Sequence, residues 1–240
     1  MKKKLLILID WYHPGFRAGG PITSISNLAE LLKKTYDITI LTSNKDIGSK
    51  IAYDGMDQSL TVGNINGIKV NYISDSNYIF LFKTIRAGYD SIYLNGMFSI
   101  RFTLIPLILK YFNLTKSKII LAPRGMLHEI AMENKNIKKY IYFKITRFLF
   151  TQKKIRYQAT NTYEKNLISK KFNPIKKISI ISNPVKKPQH TITPLKIKGQ
   201  IIRLIYISRI CRHKNLIIIL ESLMCISKNI KVDLDIYGFI

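Results

Sequence analysis

Two cations near the end of the 240-residue sequence have a spacing that suits phosphate chemistry. Arg209 and Lys214 flank the turn between an apolar, strand-like run and a helix-like segment. Both side chains can converge on one diphosphate, because arginine gives bidentate hydrogen bonds and lysine gives a point charge. The alternative is a pair of solvated cations on a surface that is rich in them. Taken alone, the spacing favours that alternative.

A glycine loop near the N-terminus is a second candidate for binding an anion. Gly19 and Gly20 follow the apolar run Leu5–Ile9 and precede Pro21 and an amphipathic helix. A strand, a glycine loop and a helix can present backbone N–H groups and the positive end of the helix dipole to an anion. The loop lacks the G-x-G-x-x-G pattern of dinucleotide-binding proteins, and an ordinary strand-to-helix turn is the alternative. Since one glycine usually suffices for such a turn, we favour phosphate binding by Gly19 and Gly20.

A third group of polar residues follows the apolar run 118–122. Arg124, His128 and Glu129 could line a substrate pocket, with His128 or Glu129 as a polar contact. A single histidine of this kind is more often a surface residue. Arg124, between Pro123 and Gly125 at the end of a strand, is the stronger candidate.

Strand-like and helix-like segments alternate along the first 185 residues, which predicts an α/β fold with a Rossmann-like, doubly wound parallel sheet. The polar stretch 43–63 is expected to be a long surface loop, and Asn66-Gly67 predicts a hairpin or an edge strand. Ligands bind at the carboxyl ends of the strands in such sheets. The glycine loop and Arg124 are therefore expected to face one crevice.

The composition predicts three segments: an N-terminal domain over residues 1–185, a linker rich in proline over 186–200, and a second domain over 201–240. The last segment has two strand-like runs and one helix-like run, which cannot close a hydrophobic core. We therefore expect the start of a second Rossmann-like domain that is cut short.

The charge of the chain is extreme, with 39 basic and 14 acidic residues and a net charge of +25. Such a field attracts nucleic acid, anionic lipid or phosphorylated substrates, although many of the lysines could simply be solvated surface. No nucleic-acid motif is present, so nucleic-acid binding is not expected. We expect the basic, aromatic stretch 135–156 to pack its apolar face on the sheet and to turn its basic face outward, with contact to an anionic membrane as a secondary option. Cys211 and Cys225 suit a reducing compartment and have no metal-ligand spacing.

Five motifs, in order, make the chain resemble the family-4-type glycosyltransferases of the GT-B fold, which act in exopolysaccharide and lipopolysaccharide synthesis. They are Gly19-Gly20-Pro21-Ile22, Ala122-Pro123-Arg124-Gly125-Met126-Leu127, Ala159-Thr160-Asn161-Thr162-Tyr163-Glu164, Ile181-Ser182-Asn183-Pro184-Val185 and Ser208-Arg209-Ile210-Cys211-Arg212-His213-Lys214. The resemblance implies a retaining transfer of a sugar from a nucleotide-sugar donor to a cell-surface glycan or a lipid-linked acceptor. It also implies cytoplasmic chemistry, with peripheral contact to the inner face of the plasma membrane as an option.

The resemblance assigns roles to the candidate residues. Gly19 and Gly20 would approach the donor phosphates, and Arg209 and Lys214 would neutralise the leaving diphosphate as the catalytic pair. Arg124 and His128 would lie on the acceptor side. No cofactor and no metal are expected, because two basic side chains can stabilise the leaving-group charge.

The sequence also departs from the family pattern. Ser208 and Asn215 replace glycines that usually flank the donor arginine and lysine, and the Glu-rich donor motif would lie beyond Ile240. We therefore expect a C-terminally truncated enzyme with weak or no activity by itself. The alternative is a catalytically inactive binding module of the same fold that docks on a membrane or on a partner subunit.

Overall fold

A computed structural model of the chain has two compact units, Met1–Lys186 and Lys187–Ile240. Within the helix that begins at Ile137, it describes the side chains of residues 142, 144 and 146–150. The residues that the structure describes are 2–128, 137–152, 154–172, 177–186, 201–208, 210–211, 214–226 and 230–238. Of the predicted linker over 186–200, residues 187–200 lie outside them. The roles expected for the two domains, and the incompleteness of the second, stay predictions.

The first unit is built on an eight-stranded sheet with the order β3-β4-β2-β1-β5-β6-β7-β8. All neighbouring strands are parallel except β3 and β4, which form an antiparallel hairpin. The doubly wound parallel sheet predicted from the sequence is therefore confirmed. The strands are β1 (Lys3–Leu8), β2 (Tyr36–Ser43), β3 (Leu60–Ile65), β4 (Ile68–Ile73), β5 (Ser91–Asn95), β6 (Lys118–Ala122), β7 (Ile155–Ala159) and β8 (Ile178–Ile180).

Helices cover both faces of this sheet. Leu6 and Leu8 of β1 belong to one buried cluster, and Leu5 and Ile7 belong to the other, because successive side chains of a strand point to opposite faces. The helix nearest the N-terminus packs on the cluster that contains Leu5 and Ile7. The other four helices pack on the cluster that contains Leu6 and Leu8. The helices are α1 (Gly20–Leu32), α2 (Tyr78–Arg86), α3 (Ile105–Tyr111), α4 (Ile137–Phe150) and α5 (Thr162–Phe172).

The prediction of a continuous loop over 43–63 was wrong at its end, because β3 begins at Leu60. This strand lies at the edge of the sheet, and its side chains are exposed or half-buried. An edge strand buries little surface, so it needs little apolar sequence and gives a weak periodic signal.

The helical segment between β5 and β6 is divided in two. A π-helical turn, Ile100–Leu104, runs into α3, with hydrogen bonds from the Leu104 N–H to the Ser99 carbonyl and from the Ile105 N–H to the Ile100 carbonyl. Pro106 has no N–H to donate to the carbonyl four residues before it, which favours this local change of hydrogen-bond pattern.

The strand order changes direction between β1 and β5. From β1 the chain continues to β2 on one side, and β5 lies on the other side. The strands end level with one another, since Leu8 pairs with Leu94 and Leu94 pairs with Leu121. In open parallel sheets a crevice forms outside the carboxyl ends of the strands at this switch point. The loops after β1, β5 and β6 therefore border it.

The second unit contains a parallel pair of strands, β9 (Ile202–Ile207) and β10 (Val232–Tyr237), and the helix α6 (Leu216–Met224). This order of strand, helix and strand agrees with the sequence prediction. Tyr206 is the buried hydrophobic residue found in the described part of this unit. None of the helices in the described ranges is long and apolar enough to cross a membrane.

Candidate functional site

The glycine loop after β1 begins the candidate site. Gly19 has a φ of 63°, and its carbonyl accepts the N–H groups of Ile22 and Thr23. Pro21 has no N–H, and the Gly19 N–H donates to the carbonyl of Phe16. Among the described residues, the Gly20 N–H has no hydrogen-bond partner. The start of α1 therefore offers an anion one backbone donor and the helix dipole, which is fewer donors than a glycine loop can supply.

The rest of the loop is held by its neighbours. Asp46 Oδ2 accepts the N–H groups of Phe16 at 3.0 Å and Arg17 at 3.2 Å. The Tyr72 hydroxyl donates to the His13 carbonyl from below the loop. A cavity of about 370 Å³ opens beside it, lined in part by Phe16, Arg17, Asp46 and Tyr53. An internal carboxylate thus occupies two N–H groups that an external anion could have used.

Asp10 lies at the switch point itself, two residues beyond the end of β1. Its Oδ1 accepts a hydrogen bond from the Ser99 hydroxyl at 2.6 Å, which joins the loops after β1 and β5. Burial raises the pKa of the Asp10 carboxyl, and the Ser99 hydrogen bond and the charge of Arg101 oppose that rise. Asp10 was not among the residues predicted from the sequence, although an acidic residue directly after a buried strand is a usable signal.

Arg124 is the centre of a polar cluster at the carboxyl ends of β5 to β8. Its Nε donates to Asn95 Oδ1 at 2.8 Å, Nη2 donates to the Tyr93 hydroxyl at 2.7 Å, and Nη1 donates to Asn183 Oδ1. All three acceptors are neutral side chains. Among the described residues, no carboxylate forms an ion pair with Arg124. The guanidinium is thus held in place by neutral partners, and no described carboxylate compensates its charge in an ion pair.

The backbone of this cluster is also unusual. Arg124 has a φ of 56°, in the left-handed region that residues other than glycine rarely adopt, and Gly125 follows with a φ of 74°. Burial raises the pKa of Tyr93 to about 12, so its hydroxyl stays neutral, accepts from Arg124 and donates to Gln158. Backbone strain of this kind is most often kept where function requires the side chain in one place.

Glu164 anchors the same loop from α5. Its side chain is almost fully buried, with 1% exposed. Oε1 accepts the Gly125 N–H, and Oε2 accepts both the N–H and the hydroxyl of Thr160, each at 2.7 Å. The Glu164 N–H is in turn capped by Asn161 Oδ1. Glu164, Asn95 and Asn183 were not predicted as site residues, although Glu164 and Asn183 belong to two of the five motifs.

The predicted site residues have different outcomes. Arg124 lies within the cluster, whereas His128 is exposed and packs its ring on Tyr163 at 4.8 Å. Lys214 is exposed in the second unit, in the turn between β9 and α6, where its N–H donates to the Cys211 carbonyl. Glu129 and Arg209 lie outside the described residues. The roles expected for all these residues stay predictions.

No metal-binding group is found in the part of the chain that the structure describes, where no three His, Cys, Asp or Glu side chains lie together. The expected independence from metals and cofactors stays a prediction.

Comparison with known proteins finds no matching family model and no match among curated proteins. Solved structures do match. HepE of Anabaena, crystallised in complex with UDP-glucose, superposes with a TM-score of 0.64 and 14% identity over 96% of this chain. Sucrose-phosphate synthase of Thermosynechococcus elongatus superposes with a TM-score of 0.63 and 11% identity over 99% of this chain. The fold is of the GT-B, Rossmann-like type.

The chain spans 60% of the length of HepE and 62% of the length of the synthase. At these levels of identity the likeness establishes the fold and leaves the roles of single residues open. The assignment of a family within this fold, such as family 4, stays a prediction.

Proposed function

We propose that the chain is part of a glycosyltransferase that takes its sugar from a nucleotide-sugar donor. The observation that carries the proposal is the match of nearly the whole chain to HepE, whose crystal structure is a UDP-glucose complex. The match to sucrose-phosphate synthase supports the same class of reaction. The switch-point crevice, bordered by the glycine loop and the loops after β5 and β6, provides a place for such a ligand on this chain.

The chemistry of the crevice suits a ligand with negative charge. Gly20 offers its N–H at the positive end of the α1 dipole, and no acidic residue lies in the first turn of that helix. The guanidinium of Arg124 lies at the same edge of the sheet and has no anionic partner among the described residues. A diphosphate, or an anionic acceptor such as a lipid-linked phosphate, is the kind of group that these two features would bind.

We further propose the finer assignments on the strength of the sequence motifs. Arg209 and Lys214 would neutralise the leaving diphosphate, and stabilising that charge in the transition state is the main task of such a site. The acceptor would be a cell-surface glycan or a lipid-linked precursor, the reaction would proceed with retention, and it would take place in the cytoplasm.

Calorimetric titration of the chain with UDP-glucose and with a GDP-sugar tests the proposal. We expect saturable binding of one of them, weakened at least about tenfold in Gly20→Val, because the added side chain would cover the one available N–H. Thr23→Val is the matched control, since Thr23 is exposed in the same helical turn and its side chain makes no described hydrogen bond. Arg124→Ala should also weaken binding, with exposed Arg86→Ala as its control.

Two results would contradict the proposal. One is a folded chain that binds neither nucleotide sugar nor UDP alone. The other is unchanged binding in Gly20→Val, which would place the ligand elsewhere than at the start of α1.

A further inference from the structure

An exposed aromatic patch lies where α3 and α4 end. It consists of Tyr111, Phe112, Leu114 and Phe148, which are 48%, 64%, 48% and 52% exposed. The Tyr111 ring contacts the Phe112 ring at 5.2 Å and the Phe148 ring at 5.4 Å between centroids. These side chains therefore form one apolar surface rather than scattered exposed residues, and such surfaces usually mark a site of interaction.

The end of α3 is built to hold the aromatic patch rigidly outward. Asn113 has a φ of 57°, its N–H donates to the Lys110 carbonyl, and the Leu114 N–H donates to the Leu109 carbonyl at 2.8 Å. This pair of bonds is the Schellman arrangement that ends a helix with one left-handed residue. It fixes Phe112 and Leu114 on either side of Asn113. A backbone that is already ordered loses little entropy when a partner covers this surface.

Three basic residues lie close to the aromatic patch. Lys154 Nζ donates to Asn113 Oδ1, between patch residues Phe112 and Leu114, and exposed Lys144 and Arg147 lie on α4, four residues and one residue before Phe148. The wider sequence has the same bias, since residues 91–186 include 19 basic residues and three acidic ones. Of those three, Glu164 is buried in the Arg124 cluster. An apolar centre with a cationic rim matches the interface of an anionic bilayer, where rings enter the headgroup region and cations meet lipid phosphates.

We propose that the aromatic patch docks the first unit on an anionic lipid surface. The geometry favours lipid over nucleic acid, because Tyr111 meets its two ring neighbours at 89° and 81° and so forms no stack of parallel platforms for bases. The patch lies at the amino edge of the sheet, just before β6 and β7 begin, whereas Gly20 and Arg124 lie at the carboxyl edge. Docking therefore does not depend on the proposed nucleotide-sugar binding, and the two can be tested separately.

Vesicle flotation of the full chain tests this docking. We expect binding to vesicles of mixed phosphatidylglycerol and phosphatidylcholine, and much weaker binding to vesicles of phosphatidylcholine alone. The double variant Phe112→Ser with Phe148→Ser should lower the partition coefficient at least about tenfold, through loss of two inserted rings. Phe82→Ser is the matched control, because Phe82 is 40% exposed on α2 and lies outside the patch. The control should bind vesicles as the natural chain does.

A second variant tests the cationic rim without touching the rings. Lys144→Glu with Arg147→Glu should reduce binding to the anionic vesicles by a similar factor. Added salt should bring the partition coefficients of this variant and of the natural chain closer together. Thermal unfolding and titration with UDP-glucose should remain as in the natural chain for both double variants. Unchanged unfolding and unchanged UDP-glucose binding therefore distinguish a failure of the docking proposal from a failure of the proposed function.

Three outcomes would overturn the docking proposal. They are equal binding to vesicles with and without phosphatidylglycerol, unchanged binding in both double variants, and an equal loss in Phe82→Ser. Release of the vesicle-bound chain by duplex DNA, together with loss of DNA binding in the ring variant, would also overturn it in favour of a nucleic-acid surface.

Discussion

At the scale of single residues, the candidate site is a set of polar groups whose partners come from other strands. Arg124 is held in a left-handed conformation by three neutral acceptors, and Glu164 fixes the next residue through the Gly125 N–H. Left-handed backbone costs a residue with a Cβ roughly 1–2 kcal/mol. The hydrogen bonds of the guanidinium therefore have to offset that cost.

The strain at Arg124 can be separated from its hydrogen bonds by two substitutions. Arg124→Ala and Arg124→Gly remove the same side-chain bonds, but only glycine adopts a φ of 56° without strain. We expect Ala to lower the free energy of unfolding by about 1 kcal/mol more than Gly does. Urea denaturation measures both. Equal values for the two variants would show that the backbone at this position relaxes once the side chain is gone.

Asp10 predicts a pH dependence of stability. Burial raises the pKa of this carboxyl above its ordinary value of 3.8, so the folded state binds the proton more tightly than the unfolded state does. The free energy of unfolding therefore falls as the pH rises from 3.8 through the raised pKa, and the loss persists at neutral pH. Asp10→Asn keeps an oxygen for the Ser99 hydroxyl and should be more stable than the natural chain at pH 7.

Urea denaturation of Asp10→Asn across an acid-to-neutral series checks this sign. The stability gain of the variant should shrink as the pH falls toward the ordinary carboxyl range. Asp37→Asn, at an exposed position of β2, is the control for the removal of one carboxylate from the chain. A natural chain that is stabilised relative to Asp10→Asn at pH 7 would contradict the expectation.

At the scale of elements, the loop between β1 and α1 uses its two glycines differently. Gly19 requires glycine because of its backbone, with a φ of 63° and a ψ of −117°. Gly20 begins the helix without a positive φ, and an added Cβ would meet nothing within 4 Å. Local conformation therefore explains Gly19 and leaves Gly20 unexplained. Close approach of a ligand to the Gly20 N–H is the reason that we propose for the second glycine.

This difference gives a prediction for alanine at each position. Gly19→Ala should lower the free energy of unfolding by about 1–3 kcal/mol, because its backbone is strained for any residue with a Cβ. Gly20→Ala should leave it unchanged or raise it by up to about 1 kcal/mol, since alanine favours the helix. Urea denaturation of the two variants checks this. A similar loss in both would mean that the start of α1 is packed more tightly than the structure shows.

At the scale of the whole molecule, the two units differ in how much core they have. Both buried clusters belong to the first unit, whereas Tyr206 is the core residue found in the described part of the second. The exposed side chains of α6 include Ile217, Ile218, Leu220 and Met224. Stability of the chain should therefore come almost entirely from Met1–Lys186.

Expression of residues 1–186 alone tests this view. The fragment should unfold cooperatively in urea, with a free energy of unfolding within about 1 kcal/mol of the full chain. Residues 201–240 alone should show no cooperative transition, because two strands and a helix bury too little surface. A fragment 1–186 that is molten or aggregated would mean that the second unit contributes to the core of the first.

The sequence by itself determined the fold class and the order of the elements. Periods of apolar residues are local, so β1, α1 and the later strands could be predicted from runs such as Leu5–Ile9, and Pro21 indicated the start of a helix. The same reasoning predicted the hairpin at Asn66-Gly67 but placed the beginning of β3 inside a loop, because an exposed edge strand requires little apolar sequence. Gly19, Gly20 and Arg124 could be predicted as site residues, because each follows a predicted strand and the carboxyl ends of strands are where ligands bind in such sheets.

Only the tertiary structure decided which strand ends meet. The order β1-β5-β6-β7-β8 brings Arg124 to Asn95 and Asn183, which lie 29 and 59 residues away along the chain, and it brings Ser99 to Asp10 across 89 residues. Periodicity records which face of an element is apolar and carries no information about the order of strands in a sheet. That order comes from the joint packing of helices on both faces, and it selects the few polar side chains that share the crevice.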